Sequence, residues 1–202
     1  MKTCFVIGAG EFSENSLAVK PGDMVIAADG GYLYLEKIGI KPDLILGDFD
    51  SAVKPDFHEI AEFNSEKDDT DTALAVDFGF SRGYTVFEIY GGTGGRFDHT
   101  FANIQTLLGI AKKGGQGYLF SKSEVAVVTA SKIEFDESYR GRISVFSLGD
   151  EARGVSINGL KYSLRNACLT NDFPLGVSNE FTGEKSEISV KEGYLLIIYE
   201  RQ

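Results

Sequence analysis

The 202-residue chain has no run approaching the roughly 18 apolar residues that a membrane-spanning helix needs. Its opening, MKTCFVIGAG, lacks the longer apolar stretch and small-residue cleavage site of a secretory leader, so a cytoplasmic protein with no membrane partner is expected. Cysteine is scarce: Cys4 lies in an apolar run and Cys168 far downstream, with neither disulfide-framework nor zinc-ligand spacing, and both are expected to be buried thiols. Histidine is equally scarce, and His58 and His99 are too few for a histidine-rich metal site. Basic residues are outnumbered, 20 Lys and Arg against 30 Asp and Glu, giving a formal charge of -10 that argues against a broad nucleic-acid-binding surface. A nucleotide is not excluded, because local amides and a carboxylate-bound metal can hold a small anion on an acidic protein. Two common phosphate signatures are missing: no Gly-Lys-Ser/Thr completes a Walker A loop, and Gly8-Ala9-Gly10 is too short for a GxGxxG fingerprint.

What the chain does have is an ordinary globular composition, 43% hydrophobic, in a length that suits one large domain or two small ones. In the first part, short β-rich runs at 3–9, 24–28, 43–48 and 84–90 are each followed by a Gly- or Asp-containing turn. Segments 32–38, 72–80 and 99–113 have apolar residues at helical spacing and stop near Gly39, Gly83 and Gly114. Alternating strands and helices imply a parallel sheet covered on both faces. After about Gly117 the helical period disappears, and β-branched and aromatic segments follow at 118–122, 124–129, 142–147, 187–190 and 194–199. The expected fold is α/β: a Rossmann-like parallel-sheet domain at 1–120, then an all-β sandwich domain at 121–202.

Ligands of open α/β sheets bind at the carboxyl ends of the strands, and three such ends are marked. The first runs into Asp29-Gly30-Gly31, the second into Gly47-Asp48-Phe49-Asp50-Ser51, and the third into Gly91-Gly92-Thr93-Gly94-Gly95-Arg96-Phe97-Asp98-His99. Asp48 and Asp50, two apart, would project to one side of an extended segment and suit a hard cation such as magnesium; they read equally as a surface turn. Lys67-Asp68-Asp69-Thr70-Asp71 precedes a helical pattern, so Asp69, Thr70 or Asp71 could cap that helix. Against a purely capping role stands the density of carboxylates, whose repulsion calls for a counter-charge such as a metal. The glycines of 91–95 let backbone amides approach a phosphate, Asp98 begins a helix whose N-terminus attracts anions, and Arg96 adds a forked donor; the alternative is a flexible loop with a solvated arginine. His58 reads as a surface residue, and His99 as a helix-start residue or a substrate contact.

In this order, GDFDS at 47–51, KDDTD at 67–71 and GGTGGRFDHTFANI at 91–104, preceded by Ala28-Asp29-Gly30-Gly31, resemble the thiamine pyrophosphokinase family. The likeness continues through Gly159-Leu160-Lys161-Tyr162, Ser178-Asn179 and the closing strand after Gly193. It implies a thiamine diphosphokinase that moves the diphosphoryl group of ATP, its co-substrate, to the thiamine hydroxyl in a cytoplasmic homodimer, with thiamine at the subunit interface. It also implies magnesium on Asp48, Asp50 and Asp71, and nucleotide contacts from Asp29, Gly30, Lys67, Thr70, Gly91, Gly92 and Arg96. Arg96 and Asp98 match the family's active-site Arg-x-Asp and with Asp71 form the expected catalytic set, Asp98 orienting or deprotonating the hydroxyl. Tyr162, Ser178 and Asn179 would line the thiamine pocket. Two positions depart from the family: the chain has no tryptophan and carries Tyr162 where many members have Trp, and Ala73 stands where a polar residue is frequent. The competing readings are another magnesium-dependent ATP phosphotransferase acting on a small alcohol, and a non-catalytic thiamine- or nucleotide-binding protein.

Overall fold

The computed structural model describes residues 2–12, 17–47, 60–62 and 69–202. The chain divides into two compact units, Met1–Lys122 and Ser123–Gln202.

In the first unit six parallel strands, β1 (Thr3–Ile7), β2 (Met24–Ala28), β3 (Leu44–Gly47), β4 (Ile60–Glu62), β5 (Val86–Tyr90) and β6 (Gln116–Phe120), lie in the order β6-β5-β1-β2-β3-β4. Among the described residues three α-helices accompany them, α1 (Tyr32–Lys37), α2 (Asp71–Ser81) and α3 (Phe97–Lys112). Alternation along β1 sends neighbouring side chains to opposite faces. Phe5 and Ile7 join a cluster with Leu35 of α1, whereas Cys4, paired with Phe87 across β1 and β5, meets Gly79 of α2. The sheet is therefore covered on both faces, and near-continuous apolar strands such as TCFVI follow from that double burial. The run expected at 118–122 forms β6, pairs in parallel with β5 and so completes the first sheet instead of opening the second unit.

The second unit contains only strands: β7 (Glu124–Thr129), β8 (Lys132–Phe135), β9 (Arg142–Ser147), β10 (Glu151–Asn158), β11 (Leu164–Thr170), β12 (Gly176–Glu180), β13 (Ser186–Ser189) and β14 (Leu195–Glu200). They pair antiparallel in two sets, ordered β12-β9-β14-β7 and β11-β10-β13-β8. Phe135 of β8 meets Tyr199 of β14, Phe181 and Tyr139 edge-on at 5.1, 5.2 and 5.0 Å, a geometry that joins the positive ring edge to the negative ring face. Strands β8, β10, β11 and β12 were not legible in the residues. In β10 two register shifts flank Val155, and Asn166 in β11 has φ 48, so neither strand keeps a clean two-residue alternation.

Cys4 is buried as expected, and burial, with the nearby Asp43 charge, pushes its thiol up to about 12. Cys168 is exposed, contrary to expectation: it sits on β11, whose side chains largely face solvent. No helix among the described residues is long and apolar enough to cross a membrane.

Candidate functional site

The order of the strands locates the site. From β1 the chain adds β2, β3 and β4 on one side, then returns to place β5 on the other side of β1. The strand order thus reverses between β1 and β5, and the crevice outside their carboxyl ends is where an open parallel sheet accepts a ligand. A cleft of about 400 Å³ opens there, lined by Gly8–Gly10 after β1, Asp29 after β2, the turn after β5 and the starts of α2 and α3.

The two turns are joined backbone to backbone. Gly8 N donates to Tyr90 O at 2.7 Å, Gly10 N to Gly91 O at 2.7 Å and Glu11 N to Thr93 O at 2.8 Å. Only glycine permits this approach: a Cβ on Gly10 would stand 2.4 Å from Thr93 O, and one on Gly91, whose φ is 65, would stand 2.2 Å from Gly8 O. Gly8 and Gly10, set aside in the sequence because they complete no fingerprint, thus line the cleft. Their position directly after an apolar strand was the available signal.

Two helix N-termini face the same space, each presenting the positive end of a macrodipole and N–H groups that lack an acceptor within the helix. Thr70 is the N-cap of α2 and accepts a hydrogen bond from Ala73 N at 3.2 Å, so the capping role holds for this residue. Its hydroxyl proton can still be donated to a ligand. Asp71 follows in the first turn, and both it and Asp69 line the cleft. Arg96 is the N-cap residue of α3. Its guanidinium grips Asp98 through Nε at 3.1 Å and Nη2 at 2.5 Å, with side-chain exposures of 71% and 62%. Two of the five guanidinium N–H groups face Asp98 and the others can meet an anion.

The hydrogen bond from Arg96 holds the Asp98 carboxyl below the ordinary carboxylate range, and the same pairing raises Arg96. A carboxyl with a lowered pKa keeps its charge above its unfolded value and loses it only at more acid pH, so the pair is intact throughout the neutral range. This makes Asp98 a weaker base and suits it to orientation more than to early deprotonation.

Of the expected site residues, the cleft gathers Asp29, Thr70, Asp71, Gly91, Gly92, Arg96 and His99. Asp29 has φ 52, a costly conformation for a residue with a Cβ and one that concentrates at functional sites. Gly30 does not line the cleft, although a Cβ there would stand 3.3 Å from that of Ala9, which does. Asp48, Asp50 and Lys67 fall outside the described residues, as does His58. No group of three metal-binding side chains occurs among the described residues. Thr93 Oγ1, at the cleft, is buried with no hydrogen-bond partner among those residues.

In the second unit Tyr162 is 60% exposed, and Ser178 has φ 58 beside the register shift in β12. Asn179, 4% exposed, binds the Tyr162 backbone on both sides: Tyr162 N donates to its Oδ1 at 2.9 Å and its Nδ2 donates to Tyr162 O at 2.7 Å. Glu180 N also donates to Oδ1 at 2.9 Å. The amide is thus spent on holding the backbone that carries an exposed ring. Asn179→Ala leaves two part-buried donors, Tyr162 N and Glu180 N, and the acceptor Tyr162 O without this partner and should lower stability by about 1–3 kcal/mol, measured by urea denaturation.

A family model described as the thiamin pyrophosphokinase catalytic domain matches residues 17–119, and the vitamin B1 binding domain of the same enzyme matches residues 130–195. The thiamine pyrophosphokinase of Bacillus subtilis strain 168 is 31% identical over 183 residues, spanning 86% of this chain and 85% of that protein. A crystal structure of thiamine pyrophosphokinase from Bacillus subtilis superimposes with a TM-score of 0.89 at 25% identity, covering 100% of both chains. The Candida albicans thiamin pyrophosphokinase structure has a TM-score of 0.80 at 16% identity, covering 99% of this chain and 89% of that one, a likeness of fold alone. With both family domains matched in order along the chain, it belongs to the thiamin pyrophosphokinase family.

Proposed function

We propose that this protein transfers the diphosphoryl group of ATP to the hydroxyl of thiamine, giving thiamine diphosphate and AMP. The observation that carries this reading is the convergence of two helix N-termini and two interlocked glycine turns on one crevice, whose lining apart from Gly8–Gly10 falls in the segment matched by the catalytic-domain model. That arrangement supplies amides and positive dipole ends to a polyphosphate without a Walker A lysine.

The thiamine oxygen forms a bond to the β-phosphorus, the bond from that phosphorus to the α,β-bridging oxygen breaks, and its electron pair leaves on AMP. Catalysis of this kind rests on alignment and charge stabilisation. Amides of the 91–95 turn and the α2 and α3 N-termini hold phosphate oxygens, Arg96 meets charge developing on the transferred group, and Asp98 steadies Arg96. The alcohol is far less acidic than a carboxylic acid, so its proton leaves late in the transfer.

The donor chemistry at the cleft suits a magnesium ion: Asp71 and Asp69 offer hard carboxylate oxygens at its rim, and magnesium takes only one or two carboxylates besides water and phosphate. Asp71 would hold it together with Asp48 and Asp50, and when bound it neutralises phosphate charge. Tyr162 would give thiamine an aromatic face, which a cationic ring favours. The crevice between β1 and β5 supports a Rossmann-like reading of the first unit, and the two antiparallel strand sets support a sandwich reading of the second. Exposed apolar side chains on each unit, Phe97 and Phe101 on one, Phe173 and Leu175 on the other, favour a homodimer with thiamine at the subunit interface.

Incubation with thiamine, ATP and magnesium, resolved by chromatography, should yield AMP and thiamine diphosphate, and chelation of the metal with EDTA should abolish both. ADP in place of AMP would identify a single-phosphoryl kinase, and thiamine binding without ATP consumption a binding protein.

A further inference from the structure

The carbonyl side of the glycine turn is fully occupied. Four successive carbonyls each accept a donor: Tyr90 O from Gly8 N, Gly91 O from Gly10 N, Gly92 O from Asn103 Nδ2 at 2.8 Å, and Thr93 O from Glu11 N. Among the described residues, the amides of Gly92, Thr93, Gly94 and Gly95 donate to nothing. Three of the four donors are backbone groups; Asn103, two turns into α3 and 5% exposed, is the one side chain. Its fit to the turn is close, since a Cβ on Gly92 would stand 2.9 Å from Nδ2.

We infer that Asn103 is a positioning residue that fixes the polarity of the nucleotide-binding turn. The peptide group is planar and trans, so a Gly92 carbonyl held by Asn103 points the Thr93 N–H in the opposite direction, away from the Asn103 amide. Glycine at position 92, on the carbonyl side of this peptide, makes its rotation less costly. Without the asparagine donor the Gly92–Thr93 peptide can turn over and present a carbonyl dipole to the phosphates where an N–H is required. Asn103 therefore acts on ATP through the backbone, and its loss weakens phosphate binding while leaving thiamine binding alone.

This inference rests on the reading of the cleft as the nucleotide site, which wild-type formation of AMP and thiamine diphosphate tests separately. The discriminating variant is N103D, of nearly identical shape, whose carboxylate cannot donate to Gly92 O but whose protonated form can. At pH 8 its kcat/KM for ATP should fall at least tenfold, with KM for thiamine within twofold of wild type. Burial raises the pKa of the introduced acid, so the ratio of variant to wild-type kcat/KM for ATP should rise as the pH is lowered from 8 towards 5.5. Asp29, Asp69, Asp71, Arg96 and His99 share the cleft, and expressing the result as that ratio at each pH removes their common titration. Circular dichroism checks the fold, and if N103D is unfolded, N103L, branched at the same carbon and without a donor, should show the tenfold loss at every pH. Unchanged kcat/KM for ATP in either folded variant overturns the inference, as does a loss in N103D that is equal for both substrates and indifferent to pH.

Discussion

Replacing Asp71 by Asn should cut kcat by roughly a thousandfold, because the neutral amide is a poor ligand for a hard cation and the charge stabilisation at stake is several kcal/mol. The fold should survive. Thr70 keeps its capping bond to Ala73 N, and the loss of one charge from the first turn of α2 costs about 0.3–1 kcal/mol. Single-turnover formation of AMP, together with a thermal melt, separates the two effects; near-normal turnover would overturn the proposed role of Asp71 in holding magnesium.

The second large effect is expected from Gly10→Ala, one methyl group in a place where two backbones touch. Its Cβ would fall 2.4 Å from Thr93 O and 2.6 Å from Gly91 O, both backbone atoms with no freedom to rotate aside. The turns must separate, breaking the Gly10 N to Gly91 O and Glu11 N to Thr93 O bonds that aim the amides of 92–95. Overpacking of this kind costs about 1–3 kcal/mol of stability. A displacement of about 1 Å in a positioning element costs on the order of a hundredfold in rate, so kcat/KM for ATP should fall by that amount or more. A variant with wild-type ATP kinetics would show that the Gly8–Gly10 turn is not part of the nucleotide site.

Both results turn on features with different visibility in the residues. Apolar runs ending in Asp or Gly announced β1, β2, β3 and β5, and the cap candidates Asp69, Thr70 and Asp71 before an apolar-periodic segment announced the start of α2, of which the fold selects Thr70, because local propensity and capping act over a few residues. The second unit was harder. Strand β12, Gly-Val-Ser-Asn-Glu, has little intrinsic β preference and is held by pairing to β9, a distant partner, through a register shift. Exposed Cys168 was misread for a similar reason: the spacing of cysteines says nothing about which face of β11 meets solvent.

The residues by themselves determined the chemistry on offer: carboxylates at strand ends, a glycine run before Arg96, and an ordered motif set that marks the family. Which of these groups share one space was decided by tertiary structure alone. The return of β5 to the far side of β1 is a long-range pairing, and from it follow the crevice, the contact of Gly8–Gly10 with the second glycine turn, and the hold of Asn103 on Gly92. Asn179 makes the same point in the second unit, where only folding brings its side-chain amide onto the backbone of Tyr162. Hydrogen-bond partners are a property of distance in space, and a linear chain carries them only once it has folded.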